Sequence, residues 1–274
     1  MLLLGGEYKP SKELPKMTDI VSPIYIAKQL QTKEQYYFSP QLLANWLSLP
    51  PRQAYRWTAR LKAAGLVSEV EKGKYLLLGL APELVLSNSL FIANQLVNPS
   101  YISYWSALHF HGLTTQVPQM VFCATTKKKR PVTYRGQTYR YVTIQPRKFF
   151  GYQRERIGEL PVLVADPAKA ILDSLHQVRY SGGITEVAQA LQTALQHIDI
   201  ELLIDYANRM KDNSLSSRLG YLLDRLGQRV SGLSASSSPV ALDPARPRRG
   251  KIDPRWRIVI NVPNENELLA PGVG

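Results

Sequence analysis

The sequence predicts an α+β protein of two domains. A helical N-terminal domain ends in a small β-hairpin, and a C-terminal α+β domain follows with an antiparallel or mixed sheet and several helices. Three observations support this prediction. Helix-start signals recur three times before residue 80, a short hairpin pattern follows them, and alternating apolar and polar residues begin near residue 120. The chain has 274 residues, a length that accommodates two ordinary domains.

Residues 1–17 are predicted to form a disordered leader, with Met17 as an alternative start. Three leucines in a row are too few for the apolar stretch of a signal peptide. No apolar run in the chain approaches the roughly eighteen residues that cross a bilayer, so no membrane partner is expected. The single cysteine, Cys123, excludes an internal disulfide and a multi-cysteine zinc site. It fits a reducing compartment, and the sequence therefore predicts a cytoplasmic protein.

Residues 18–80 are predicted to contain three helices. The dipeptide Ser-Pro occurs at residues 22–23 and 39–40, where the Ser suits a helix cap and the Pro suits the first helical position. A third helix is expected to start at Pro51 and to end near Gly65, a residue that favours the left-handed conformation of a helix C-terminus.

The third helix separates apolar and cationic residues at helical spacing. Its predicted core face consists of Ala54, Trp57, Leu61 and Ala64. Its predicted outward face consists of Arg52, Tyr55, Arg56, Ala59 and Ala63, with Arg60 and Lys62 on the flanks. The strands "LVSEV" and "KYLLL" then form a hairpin whose tip carries Lys72 and Lys74 on either side of Gly73.

Three helices followed by a basic hairpin are typical of a winged helix-turn-helix, which places its third helix in the major groove of double-stranded DNA. The predicted DNA-binding residues are Arg52, Gln53, Tyr55, Arg56, Arg60, Lys62, Lys72 and Lys74. The alternative is that these cations only solvate a surface helix. The preceding helix, the stop at Gly65 and the basic hairpin together favour DNA.

The charge of the chain also indicates an anionic partner. The formal net charge is +13 and the isoelectric point is about 9.8. Residues 121–156 concentrate this charge, with ten Lys and Arg residues against one acid, Glu155. This basic segment is a candidate second contact with DNA or with another partner, through Lys127, Lys128, Lys129, Arg130, Arg135, Arg140, Arg147 and Lys148.

Aromatic residues alternate with the cations of the basic segment. Along "TYRYV", strand geometry places Arg140 on the opposite face from Tyr139 and Tyr141. The cations are then free to lie on a nucleic-acid backbone while the aromatic rings pack inward. A solubilising surface over core aromatics explains the pattern equally well.

The remaining elements of the C-terminal part follow from short local patterns. Residues 81–99 are predicted to be a helical connection, and residues 100–274 the C-terminal domain, which opens with a helix from Ser100 to His111 that Gly112 ends. The other predicted elements are the strands "QMVFCATT", "PVTY" and "TYRYVTI", a strand running into a helix at Asp166–Pro167, helices near 184–197, 199–211 and 214–227, the loop "SGLSASSSP" and the strand "RWRIVIN".

The sequence predicts no catalytic or metal site and no cofactor. His109 and His111 point about 200° apart on a helix, so they do not chelate one ion, and no other His or Cys has ligand spacing with them. Asp166 and Asp173 lie two turns apart and would suit a metal-dependent nuclease. A helix cap at Asp166 is favoured, because this carboxylate precedes a Pro at a helix start.

Four segments give the chain a resemblance to a known family. The segments "YISYWSALHFHGLTTQVPQ", "VADPAKAILD", "RLGYLLDRLG" and "RWRIVINVP" resemble the C-terminal domain of AbiEi-type antitoxins, the transcriptional regulators of type IV toxin–antitoxin and abortive-infection systems. The N-terminal domain is similar to that family's winged helix. The resemblance covers roughly residues 18–265. One position departs from it, since Ala168 stands where an acidic residue is expected.

The resemblance implies a repressor and antitoxin rather than an enzyme. The N-terminal domain would bind inverted repeats in the promoter of its own operon, as a monomer or dimer. The C-terminal domain would counteract a co-encoded nucleotidyltransferase toxin, without requiring a stable complex. Two alternatives remain: a nuclease that uses Asp166 and Asp173, and a solitary repressor whose C-terminal domain only dimerises or senses a ligand.

Overall fold

A computed structural model describes residues 22–264 and residue 268. The chain divides into two compact units, the first ending at Leu84 and the second beginning at Val85. The described residues form ten α-helices and three sheets, so the mixed α+β class is confirmed. The predicted leader, residues 1–17, lies outside the described residues. Within residues 22–264, no helix is long and apolar enough to span a membrane.

The first unit contains three helices and a small antiparallel sheet. The helices are α1 (Pro23–Thr32), α2 (Pro40–Leu47) and α3 (Pro51–Ala63). The strands are β1 (Tyr37–Phe38), β2 (Val67–Glu71) and β3 (Lys74–Leu77), in the order β1-β3-β2. Both predicted caps are confirmed: the hydroxyl of Ser22 accepts from the Tyr25 amide at 3.2 Å, and that of Ser39 from the Leu42 amide at 3.3 Å.

The buried face of α3 differs from the prediction at one end. Ala54, Trp57 and Leu61 are buried as expected, but Ala64 is exposed. The helix ends at Ala63, and the chain then turns through Gly65 at a φ of 69°, so Ala64 lies beyond the last turn. Thr58 is buried in addition, and its hydroxyl donates to the carbonyl of Ala54 at 2.9 Å.

The second unit combines seven α-helices with two short 3-10 turns. The helices are α4 (Pro82–Leu86, which contains the boundary), α5 (Ser89–Leu96), α6 (Tyr104–Phe110), α7 (Pro167–His176), α8 (Ile184–Ala194), α9 (Ile200–Met210) and α10 (Asn213–Arg225). The 3-10 turns are Pro146–Lys148 and Val178–Tyr180. The three helices predicted after residue 184 are confirmed.

The main sheet of the second unit is mixed, as the sequence allowed. It has six strands in the order β6-β7-β5-β4-β9-β8. They are β4 (Ser100–Ile102), β5 (Met120–Thr125), β6 (Val132–Tyr134), β7 (Gln137–Thr143), β8 (Tyr152–Ile157) and β9 (Leu160–Ala165). β4 is parallel to β9 and antiparallel to β5, while β5 and β7 are parallel. The other two pairs are antiparallel.

A second, smaller sheet lies near the end of the described chain. Its strands are β10 (Val240–Ala241), β11 (Lys251–Asp253) and β12 (Ile258–Ile260). β12 is central, parallel to β10 and antiparallel to β11. The final strand predicted in "RWRIVIN" is confirmed as β12.

The predicted helix from Ser100 to His111 is wrong over its first residues. Ser100–Ile102 form the buried strand β4, and the helix begins only at Tyr104. Pairing on both sides, with Cys123 on β5 and Val164 on β9, stabilises the extended conformation at Ile102. The predicted stop at Gly112 is confirmed by its left-handed φ of 67°.

The segment 81–99 is helical, as predicted, and its second helix belongs to the core of the second unit. α5 packs against β4, β5 and β9. Its side chains Phe91, Ile92 and Leu96 are buried there. A helix that covers one face of the sheet is thus part of the domain rather than a spacer.

Candidate nucleic-acid interface

The outward face of α3 is cationic and exposed, as the sequence predicts. Arg52, Gln53, Arg56 and Arg60 are all exposed, and Tyr55 exposes 63% of its surface. The guanidinium of Arg60 lies 5.0 Å from the centroid of the Trp57 ring, which restricts its position on the flank of the helix. These side chains form an exposed polar strip along α3.

The turn between α2 and α3 determines where this strip begins. Ser48 ends α2 in the left-handed conformation, with a φ of 52°, and the Leu49 amide donates to the Ala44 carbonyl at 2.9 Å. Pro50 precedes α3, and Pro51 occupies its first turn, where no amide hydrogen is needed. α2 and α3 pack against each other, so this tight turn holds the N-terminus of α3 in a defined direction.

The hairpin of β2 and β3 is joined to α3 by a carboxylate. Glu69 lies 3.0 Å from the ammonium of Lys62, and its other oxygen accepts from the Gly73 amide at 3.0 Å. The hydrogen bond from Gly73 and the one from Lys62 lower the pKa of the Glu69 carboxyl, and the bond to Glu69 raises the pKa of Lys62. At the hairpin tip Lys72 is exposed, while Lys74 lies 3.7 Å from Glu71. Lys62 and Lys74 thus have acidic neighbours that the sequence analysis did not consider.

The basic segment of the second unit contributes a smaller exposed set than its sequence indicates. Lys128, Arg130, Arg135 and Arg147 are exposed. Lys127 is also exposed, but its ammonium donates to the carbonyl of Asn98. The Arg135–Gly136 turn between β6 and β7 has both residues at positive φ, 50° and 82°, which is the geometry of a two-residue hairpin and places Arg135 at its tip.

The predicted alternation along β7 is confirmed. Tyr139 and Tyr141 are buried on one face of the sheet, and the hydroxyl of Tyr141 donates to the Ala93 carbonyl on α5 at 2.8 Å. Arg140 points to the other face and is half-buried. Its guanidinium lies 5.4 Å from the centroid of the Tyr180 ring, so part of this cation is used in packing.

Lys148 does not belong to the exposed basic set, and this prediction is wrong. Lys148 is only 5% exposed. Its ammonium lies 2.9 Å from Oδ2 of Asp212 and 3.1 Å from Nε2 of His176. The hydrogen bonds from His176 and Lys148 hold the pKa of the Asp212 carboxyl well below its usual range. The 3-10 turn at 146–148 directs this side chain into the unit instead of toward solvent.

Asp166 is a helix cap, as predicted. Its Oδ1 accepts from the Lys169 amide at 2.8 Å, and its Oδ2 accepts from the Tyr206 hydroxyl at 3.0 Å. Burial raises the pKa of this carboxyl. Both oxygens are used to hold the start of α7 against α9.

Asp173 forms a buried ion pair that the sequence analysis missed. Its carboxylate binds the ammonium of Lys169, and both residues are essentially inaccessible. The same carboxylate accepts from the Tyr101 hydroxyl at 2.9 Å and the Ser103 hydroxyl at 2.7 Å. The signal was present in the sequence, because Lys169 and Asp173 are four residues apart on one helix face. Burial and this bonding keep Asp173 from solvent, which argues against its use with Asp166 in a nuclease.

The histidines flanking Phe110 differ in their surroundings. His109 is exposed, whereas Nε2 of His111 lies 2.7 Å from the carbonyl of Ala165.

Burial raises the pKa of the Cys123 thiol. Across residues 22–264, no group of three or more His, Cys, Asp or Glu residues is placed to hold a metal ion.

Comparisons with known proteins do not show a family. No family model matches the chain, and no curated protein matches it significantly. Among solved structures, the chain is similar to the crystal structure of the RV2827C protein from Mycobacterium tuberculosis. The sequences are 15% identical, the match covers 85% of this chain and 89% of the other, and the TM-score is 0.49.

Proposed function

We propose that this chain is a DNA-binding repressor of its own operon that also counteracts a co-encoded nucleotidyltransferase toxin. In this proposal the first unit is a winged helix-turn-helix that binds double-stranded DNA. The second unit is the antitoxin domain. The protein would act in the cytoplasm without a cofactor or catalytic activity.

The observation that carries the DNA-binding half is the exposed cationic strip on α3, held by the tight turn after α2. A helix presented in this way fits the major groove, where Arg and Gln side chains form paired hydrogen bonds with base edges. Arg52, Gln53 and Arg56 lie in the first two turns of α3, the part of a recognition helix that contacts bases most often. Tyr55 and Arg60 extend the same strip.

The hairpin supplies the second element of the proposed DNA site. Lys72 and Lys74 at its tip would meet the phosphates beside the groove, and Lys62 would do so from the flank of α3. Glu69 bonds both Lys62 and the Gly73 amide, so one exposed carboxylate links the hairpin tip to α3. Such contacts position the protein on the duplex and carry no sequence information of their own.

The exposed cations of the basic segment are proposed as a sequence-independent contact. Lys128, Arg130, Arg135 and Arg147 are the best placed, while Lys127 and Arg140 also make contacts inside the unit. Lys129 belongs to the same loop. The salt dependence of DNA binding tests whether DNA or a protein partner occupies this surface.

The antitoxin half is supported by the resemblance to AbiEi-type antitoxins. The segments that carry it form structural elements of the second unit: "VADPAKAILD" spans the β9–α7 junction, and "RLGYLLDRLG" lies mainly in α10. The residue that departs from the family pattern, Ala168, is buried on α7, where an acidic side chain would need a partner of its own.

DNA binding is tested with the intact chain and its own promoter. Fluorescence anisotropy compares a duplex from the region upstream of the gene with a scrambled duplex of equal length at one salt concentration. We expect the promoter to bind at least about a thousandfold more tightly, the lower end of ordinary specific binding. Equal affinity for the two duplexes would contradict the repressor.

The antitoxin activity is tested in growing cells with the nucleotidyltransferase encoded next to the gene. A fragment from about residue 82 onward retains α4 to α10 and is expected to rescue growth while losing repression. Rescue that also requires the first unit would contradict the proposed division of labour. Cleavage of plasmid DNA in the presence of Mg²⁺ would support the nuclease alternative instead.

A further inference from the structure

The second unit contains a cavity whose lining residues lie outside the proposed DNA-contact set. Its volume is about 450 Å³. The residues that line it come from the end of α7 with the following 3-10 turn and from the loop after β10: His176, Gln177, Val178, Arg179, Pro244 and Ala245. Small-molecule sites in proteins range from about 300 to 1,000 Å³, so this cavity has room for a metabolite.

The charged group that lines the cavity most directly is Arg179. Its guanidinium is exposed and lies 4.6 Å from the centroid of the Tyr180 ring. The guanidinium of Arg140 approaches the same ring, at 5.4 Å. Arg179 thus brings a permanent positive charge to the cavity lining, and a guanidinium is well suited to hold a phosphate through paired hydrogen bonds.

The acids near the cavity are already bonded to other groups. Asp212 binds Lys148 and His176 and accepts from the Leu215 amide. Asp243 accepts from the side chain of Arg246 at 3.1 Å and from the Ala245 amide at 2.9 Å. By contrast, the guanidinium of Arg179 donates to the neutral side-chain amide oxygen of Gln177, at 3.2 Å. The positive charge of Arg179 is therefore available to an incoming anion.

The rest of the lining is suited to an apolar group. Pro244 and Ala245 provide most of the aliphatic surface, because Val178 is only 3% exposed. A small number of polar groups in a largely apolar lining is the usual composition of a ligand site, because the apolar wall supplies affinity and the polar groups fix orientation.

We infer that this cavity binds a small phosphorylated molecule with a flat, apolar part, of the size of a nucleoside monophosphate. The phosphate contacts Arg179. The flat part lies against Pro244 and Ala245. This inference is independent of DNA binding by α3, since it concerns residues of the second unit alone.

The test is isothermal titration calorimetry of the full chain with defined probes. The probes are the four ribonucleoside 5′-monophosphates, inorganic phosphate and uncharged adenosine. We expect at least one monophosphate to bind more tightly than either phosphate or adenosine, because only the monophosphate uses both parts of the site. No binding by any monophosphate or by phosphate at millimolar concentration would overturn the inference.

Two variants locate the binding. Arg179→Gln should weaken the best monophosphate at least tenfold, and Ala245→Phe should block the cavity without changing its charge. Arg229→Gln, which removes one exposed cation elsewhere in the unit, is the matched control and should leave the affinity unchanged. Equal loss in Arg179→Gln and Arg229→Gln would indicate non-specific ionic attraction. If Arg179→Gln weakens DNA binding but not the monophosphate, this surface serves nucleic acid and the inference is wrong.

Discussion

The ammonium of Lys148 lies 2.9 Å from Oδ2 of Asp212, and Lys148 is buried at this contact. Asp212 also caps α10, since its Oδ1 accepts from the Leu215 amide at 3.1 Å. His176 at the end of α7 contacts both partners. One charged group thus connects a 3-10 turn, the end of one helix and the start of another.

Replacing Lys148 should lower the stability of the second unit rather than its affinity for DNA. Lys148→Met removes the buried cation from the half-buried carboxylate of Asp212, which keeps His176 as a partner, so we expect a loss of about 2 kcal/mol, less than for a fully buried pair. Urea unfolding at pH 7 measures this loss. The neighbouring exposed residue provides the control, because Arg147→Met should change the free energy of unfolding by only about 0.5 kcal/mol. A folded, fully stable Lys148→Met protein with weaker DNA binding would restore Lys148 to the DNA-contact set.

The same pair predicts a pH dependence of stability. The folded pKa of the Asp212 carboxyl lies well below its ordinary value of 3.8, so the unfolded chain binds more protons at acidic pH and stability falls as the pH falls. The contribution is fully present above about pH 5 and is lost progressively below pH 4. We expect the difference in unfolding free energy between the wild type and Lys148→Met to be largest at pH 7 and smaller at pH 3. A difference that grows on acidification would contradict this account.

The buried pair of Lys169 and Asp173 predicts a strongly non-additive mutant cycle. Each of Lys169→Met and Asp173→Asn leaves a buried polar partner uncompensated and should cost about 3–5 kcal/mol. The double variant should be more stable than the sum of the single effects predicts, by more than 1 kcal/mol. Denaturant unfolding of the four proteins provides the comparison, and additive effects would show that the two charges are not coupled.

Removing the cations at the start of α3 should reduce sequence-specific binding. Arg52→Ala with Arg56→Ala is expected to cost about 1–3 kcal/mol for each lost base contact and to relax the sequence preference. The affinity for the promoter duplex measures the loss of binding, and its ratio to the affinity for a scrambled duplex measures the sequence preference. Lys28→Ala with Lys33→Ala removes the same charge from exposed positions at α1 and serves as the control. If the α3 variant is folded and binds the promoter as the wild type does, this helix is not the recognition element.

Neutralising the basic segment should instead act on all DNA sequences equally. Each phosphate contact that is lost reduces the slope of log affinity against log salt by about one unit, because fewer counterions are released. A variant that changes Lys127, Lys128, Lys129 and Arg130 to neutral residues tests the loop as a whole. A cleaner variant changes Lys128, Arg130 and Arg135 to Gln, since Lys127 also bonds to Asn98.

The matched control for this variant removes three exposed cations elsewhere in the second unit, at Arg229, Arg249 and Lys251. The basic-segment variant should flatten the salt dependence for promoter and scrambled DNA alike, and the control should not. An unchanged slope in both would assign the segment to another partner or to surface charge.

Features set by neighbouring residues could be predicted from the sequence. The caps at Ser22, Ser39 and Asp166 each depend on contacts within three residues, and all three are found in the structure. The outward face of α3 follows from helical periodicity alone. The left-handed turn at Gly65, after α3, likewise follows from local residue types.

Features set by distant residues could not be predicted in this way. Ser100–Ile102 is a strand because Val164, more than sixty residues later, completes its pairing. Lys148 is buried because Asp212, sixty-four residues later, provides a countercharge. In both cases the local sequence also fits the alternative, a helix for the first and a solvated cation for the second. Long-range partners therefore account for the two wrong predictions, the helix at residues 100–102 and the exposed position of Lys148.

The position of β4 in the sheet has a consequence for how the chain is made. β4 is the first strand of the main sheet to be synthesised. In the folded sheet it lies between β5 and β9. β5 follows soon after, but β9 ends only at Ala165. At translation rates of about 5–20 residues per second, the other edge of β4 waits roughly 3–12 s for its partner. During that time a short apolar strand edge is open to other nascent chains, so slower translation between residues 102 and 165 should increase aggregation of the newly made protein.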